Sequence, residues 1–138
     1  MPVKRNVICY LHPFHQFLTT MRIMSNTQTH THGGGRFAET PKMSTYLVAL
    51  VVGEFDVVSK YSPRTSIQTS VYTMPGKGGQ GKFCLDTACD ALDFLEETYG
   101  IKYPLPKSDL LAIPDFASGA MENWGCVTYR EAKVSGER

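Results

Sequence analysis

Residues 82–99 read KFCLDTACDALDFLEETY, and this stretch decides the fold. Leu85, Ala88, Leu92, Leu95 and Tyr99 recur at helical spacing and make one apolar face. Asp86, Asp90, Asp93, Glu96 and Glu97 line the other side, as a solvated face would. The pattern predicts an amphipathic helix over 82–99. Gly100 stands where a left-handed C-terminal cap is expected, and Pro104 bars continuation. Cys84 and Cys89 fall inside this helix, where cysteine acts as a small buried apolar side chain.

Upstream of the helix the period changes. Residues 43–58 are predicted as strand: Tyr46, Val48, Leu50 and Val52 alternate with Leu47, Ala49 and Val51, an apolar β-branched run suited to burial on both faces. Gly53 marks a bend before Glu54–Val58 continues extended. Residues 59–66, with Ser62-Pro63, read as a turn, and Ile67–Thr73 as a second strand. Pro75–Gly81 is glycine-rich but lacks G-x-x-x-x-G-K-[ST] spacing, since Lys82 is followed by Phe83. It reads as an interdomain turn and not as a phosphate loop. Downstream, Leu110–Ile113 reads as a short buried strand ended by Pro114, residues 115–118 as loop, and residues 119–129 as an extended segment.

Composition narrows the class. In 138 residues, 42% hydrophobic and 20% charged content sit near globular averages, which argues against disorder throughout. A formal net charge of +1 with no basic run gives no reason to expect nucleic acid. No apolar run approaches the roughly 18–20 residues that cross a membrane. Residues 1–35 hold Lys4, Arg5 and Arg22 and no acid, whereas 36–138 carry the other eleven basic and all thirteen acidic residues. That step suggests two unlike segments joined near Gly33-Gly34-Gly35. The first fits a weak mitochondrial transit peptide or, preferably, a disordered leader with a glycine hinge. Cys9, Cys84, Cys89 and Cys126 form no C-x-x-C pair. With no signal peptide visible, the thiols read as reduced and the compartment as cytoplasmic.

The segment richest in chemistry is Gly119-Ala120-Met121-Glu122-Asn123-Trp124-Gly125. With YPLPKSDLLAIPDFAS before it and CVTYREA after it, it resembles the exopeptidase loop of the zinc aminopeptidases, gluzincins of the aminopeptidase N and puromycin-sensitive type. RFAETPKMSTYLVALVVGEFDVV is similar to the close of that family's N-terminal β-domain, and VYTMPGKGGQGKF to its passage into the catalytic domain. The likeness covers about residues 36–132. It implies an α+β chain: the C-terminal part of a β-sheet domain (36–73), then the start of a thermolysin-like catalytic domain (74–132), both incomplete. Residues 1–35 and 133–138 match nothing in the family, as the edges of a partial gene product would.

The resemblance also implies roles. Gly119, Ala120, Met121, Glu122 and Asn123 form the substrate-contacting loop. Gly119 permits close backbone approach and Ala120 leaves the groove open, so that an extended peptide can pair by main-chain hydrogen bonds. Glu122 anchors the free α-ammonium group through a charge-assisted hydrogen bond. Met121 packs beside the first substrate residue, Asn123 braces the loop, and Trp124 is a packing anchor. The partners implied are peptide substrates with a free N-terminus, and the rest of an aminopeptidase.

The family's chemistry needs zinc held by H-E-x-x-H, with a further Glu and a Tyr downstream. Here the histidines are His12, His15, His30 and His32; none is followed by Glu and no pair is spaced by four. His12/His15 and His30/His32 with nearby Cys9 could chelate adventitiously, but the segment is irregular and its sequence offers no pattern of residues to orient such ligands. The sequence therefore predicts zinc in the complete family enzyme, no zinc bound by this chain and no catalytic residue within it. The function expected is a fragment of a peptide-trimming metallo-aminopeptidase. The alternative is a non-catalytic interaction protein or a truncated gene product.

Overall fold

The computed structural model describes residues 41–49, 51 and 53–135. The leader expected at 1–35, its histidines, Leu50, Val52 and the last three residues lie outside the described residues. One five-stranded sheet carries the structure, in the order β1-β2-β3-β5-β4. Its strands are β1 (Asp56–Tyr61), β2 (Gln68–Thr73), β3 (Lys107–Ile113), β4 (Ala120–Met121) and β5 (Cys126–Arg130). Helix α1 (Gly81–Tyr99) connects β2 to β3, and α2 (Glu131–Ser135) follows β5.

The connections dictate the pairing. A short turn makes β1 and β2 antiparallel, with Asp56 opposite Thr73 and Tyr61 opposite Gln68. The helical crossover makes β2 and β3 parallel, Gln68 opposite Lys107, as βαβ units require. β5 is again parallel to β3, Asp109 opposite Cys126, and β4 folds back antiparallel on β5.

The central strands are buried on both faces, and this period-2 split builds two cores. Val71, Leu110 and Ala112 face Leu85 and Cys89 of α1 and Val134 of α2. Tyr72, Leu111 and Cys126 turn the other way, onto Phe55. The rings of Phe55 and Tyr72 meet edge-on, centroids 6.2 Å apart.

Several expectations change in detail. The strand expected over 43–58 begins only at Asp56; Thr45–Leu47 is a 3₁₀ turn. Val48 and Val51 pack against the Leu111 core, and Val51 makes only an isolated bridge, so here the apolar character serves chiefly burial. β1 continues through Tyr61, into the expected turn 59–66. The tail expected from Lys133 is instead α2, where Val134 is buried. The position of the expected division, between 73 and 74, lies between β2 and α1.

Helix α1 ends as expected, with Gly100 at φ 65° and its N–H bonded to the Glu96 carbonyl. Its faces differ from the helical-wheel reading. Leu85 and Cys89 are buried, but Leu95 and Tyr99 are exposed. Nor are all the acids merely solvated. Asp86 pairs with Lys60 at 2.7 Å and Glu97 with Arg64 at 2.7 Å. Asp93 accepts from the Arg64 and Thr65 N–H groups and from the Ser62 hydroxyl, closing the β1–β2 turn onto the helix.

Candidate substrate-binding loop

The five residues singled out from sequence lie together at one edge of the sheet. Ala120 and Met121 are strand β4, opposite Tyr129 and Thr128 of β5, and β4 is the last strand in the sheet order. Gly119 and Ala120 are exposed, Met121 is half-buried, Glu122 is exposed and Asn123 is buried. A main chain at a sheet edge thus leads directly to an exposed carboxylate.

Three sets of polar contacts hold this loop. At its start, the Arg130 backbone N–H donates to the Gly119 carbonyl at 3.0 Å. The Arg130 guanidinium reaches further back, donating to the carbonyls of Phe116 (2.9 Å) and Ala117. Just before that contact, Asp115 takes the left-handed conformation at φ 51°.

At the centre stands Asn123. Its Nδ2 donates to the Leu47 carbonyl at 3.2 Å, and its Oδ1 accepts from the Thr128 hydroxyl at 2.9 Å. Its own carbonyl accepts from the Cys126 N–H at 2.9 Å. One amide therefore ties the loop to β5 and to the 3₁₀ turn at 45–47.

At its end, Gly125 adopts φ 76°, a left-handed conformation that suits glycine. Its carbonyl accepts from the Asp109 N–H at 3.1 Å and from Lys107 Nζ at 2.8 Å. Lys107 Nζ also donates to the Asp109 carboxylate, whose side chain is only 2% exposed. Burial is the largest influence on that carboxyl and pushes its pKa up to about 6, even against the attraction of Lys107. The same dry environment raises the Tyr72 and Tyr103 phenols.

Sequence reasoning missed Lys107, Asp109, Arg130 and Thr128. One signal was present: Lys107 and Asp109 stand two apart at the head of a strand, so they share a face, and an acid opening an apolar strand asks for a partner.

Zinc does not fit these residues. Among the described residues no three His, Cys, Asp or Glu side chains group so as to hold a metal ion. Nor is any helix among them long and apolar enough to cross a membrane.

Comparison with known proteins bears on the family of the chain. The description of the Peptidase family M1 domain matches residues 83–137, running through α2 and the residues set apart as a tail. A puromycin-sensitive aminopeptidase of Caenorhabditis elegans is 50% identical over 118 residues, 83% of this chain and 12% of the relative. Aminopeptidase M1-A of Oryza sativa is 56% identical over 98 residues, 71% of this chain and 11% of the relative. Human endoplasmic reticulum aminopeptidase 1 is 53% identical over 98 residues, 71% of this chain and 10% of that protein. The chain spans about a tenth of the length of these relatives.

Proposed function

Because this chain belongs to the M1 peptidase family, we propose that its β4 edge and Glu122 form the part of an aminopeptidase that receives the free N-terminus of a peptide. The observation that carries this reading is the continuity of an edge strand, Ala120–Met121, with the exposed Glu122 carboxylate. A peptide laid antiparallel or parallel along the outer edge of β4 exchanges main-chain hydrogen bonds with it. Its terminal ammonium then meets Glu122, and only a chain end carries such a group. Met121, half-buried beside the edge, offers an apolar contact to the first side chain, and Asn123 keeps the loop from turning away.

The parent reaction we assign is removal of N-terminal residues from peptides by a zinc-dependent enzyme, in the cytoplasm, on the likeness to the puromycin-sensitive relative. The residues of this chain would bind and orient the substrate; H-E-x-x-H is absent from its sequence. An ion pair open to solvent contributes only about 0–1 kcal/mol, so the chain by itself should bind peptides in the millimolar range or more weakly.

A titration of the full chain with trialanine and N-acetyl-trialanine, read by amide NMR, tests the proposal. Free trialanine should shift Gly119–Asn123 and the acetylated form should not, with the preference lost in Glu122→Gln. Equal shifts by both peptides would reject Glu122 as the amine anchor.

A second reading has its own observation. Phe83, Phe94, Leu95 and Tyr99 of α1, with Ile101 beyond it, are exposed. Such a stripe favours docking against a partner, and the remainder of an aminopeptidase is the partner we propose. Loss of that exposure on mixing with the complementary part of a family enzyme, seen as protection of these side chains, would support it.

A further inference from the structure

We infer that Lys107 is a positioning residue for the Glu122 loop: aimed by the buried Asp109 carboxylate, its ammonium group holds the Gly125 carbonyl and thereby sets where Glu122 stands. The inference rests on the amine-binding reading for its functional meaning and on contacts within the chain for its geometry.

Lys107 is half-buried and sits at the first position of β3, the strand that runs through the centre of the sheet. Among the described residues its Nζ meets one acceptor on its own strand and one on the loop. The first is Asp109, two residues on and therefore on the same face. The second is the Gly125 carbonyl, which also receives the Asp109 N–H. Side chain and backbone of the same two residues thus converge on one carbonyl oxygen, three positions after Glu122.

The need for that grip follows from the local chain. Between β4 and β5 the backbone must reverse within Glu122–Gly125, and Gly125 does so at φ 76° with its Cα hydrogens facing Leu105 and the Lys107 carbonyl. Glycine there has many alternative conformations, so an external constraint must select this one. A charge-assisted donor with low solvent exposure is about twice as strong as a neutral one and is well suited to that selection. Asp109 is the reason the donor points inward: a buried carboxylate needs a cation, and the position from which Lys107 satisfies it also meets the Gly125 carbonyl. β5 stands between β3, which carries both residues, and the edge strand β4, so each acts through the loop.

Trp124 is the only tryptophan in the chain and lies between Glu122 and Gly125, so its fluorescence reports on this segment alone. In Lys107→Met the stem remains and the ammonium is lost. The amides of Glu122–Cys126 should then shift, and acrylamide quenching of Trp124 should rise at least about twofold as the loop opens locally. Amides of β2 and α1 should stay in place, which a merely global loosening of the sheet would not allow. Lys107→Arg, which restores a cationic donor, should bring both readouts back toward wild type. Wild-type quenching with wild-type loop amides in folded Lys107→Met would overturn the inference. If Lys107→Met does not fold, Asp109→Asn carries the test: it leaves Lys107 without its counter-ion, and an unchanged loop there overturns the inference equally. These readouts involve no peptide, so they judge Lys107 even if wild type fails to distinguish trialanine from its acetylated form; that failure would reject the amine-binding reading alone.

Discussion

The centre of the sheet and the loop at its edge are built from different forces. In β2 and β3, Val71, Tyr72, Leu110, Leu111 and Ala112 are buried side by side, alternately meeting the helices and the Phe55 layer. At Gly119–Gly125 the ladder shrinks to the two-residue strand β4, and three polar contacts at Arg130, Asn123 and Lys107 hold the backbone. Burial is non-directional and spread over many atoms, so the centre tolerates small shifts. Hydrogen bonds are directional and few, so the loop has one geometry or none. A binding surface that must match main-chain spacing profits from the second kind of control.

The largest effect should come from the centre. Leu111 is fully buried, and Leu111→Ala should cost about 2–5 kcal/mol, seen as a lower urea midpoint for the whole chain. A much smaller loss would mean that the two-core sheet does not govern stability.

The next effect is a pH dependence located between the two regions. The folded chain binds the Asp109 proton more tightly than the unfolded chain, whose carboxyl titrates near 3.8 against about 6 when folded. Folding stability should therefore fall as pH rises from about 4 to about 6, by up to about 3 kcal/mol, and level off above. The groups that face Asp109 are Lys107 on β3, Ser70 and Tyr72 on β2, Cys126 on β5 and Tyr103 before β3. Asp109→Asn should flatten the profile; urea midpoints across pH 4–7 measure it.

Smaller and more local changes should follow at the loop. Gly125→Ala places a Cβ 2.7 Å from Leu105 Cδ1, which can swing aside, so the left-handed φ of 76° decides the cost, about 1–2 kcal/mol. Asn123→Ala should cost about 1–2 kcal/mol through the orphaned Leu47 carbonyl and Thr128 hydroxyl. In both variants hydrogen exchange should accelerate at 119–126 before it does in β3. The smallest stability effect belongs to Glu122→Gln, under about 0.5 kcal/mol, since the side chain is exposed. Its consequence should appear only as lost discrimination of a free peptide amine. A large stability loss there would contradict the division between a core that folds and a loop that binds.

Much of this was legible from residue order. The helix, its Gly100 cap, the strand before it and the loop motif all depend on local periodicity and on motif spacing, which survive without knowledge of neighbours. The run at 43–58 was misread because apolar residues signal burial, and burial serves a covering segment as well as a strand. Asp93 was misread because a helical wheel cannot see the turn at 62–66 that closes on it.

Sequence alone determined the family and the residues of the loop, because helix period, glycine caps and the Gly119–Gly125 motif are written in neighbouring positions. Only the tertiary structure decided that β1 through β5 share one sheet, that α1 buries half of its apolar face, and that Lys107, Asp109 and Arg130 grip the loop from β3 and β5. Those relations join residues as far apart in the chain as Gln68 and Lys107, and no local pattern specifies which buried carboxylate a given ammonium will meet or which carbonyl it will then hold.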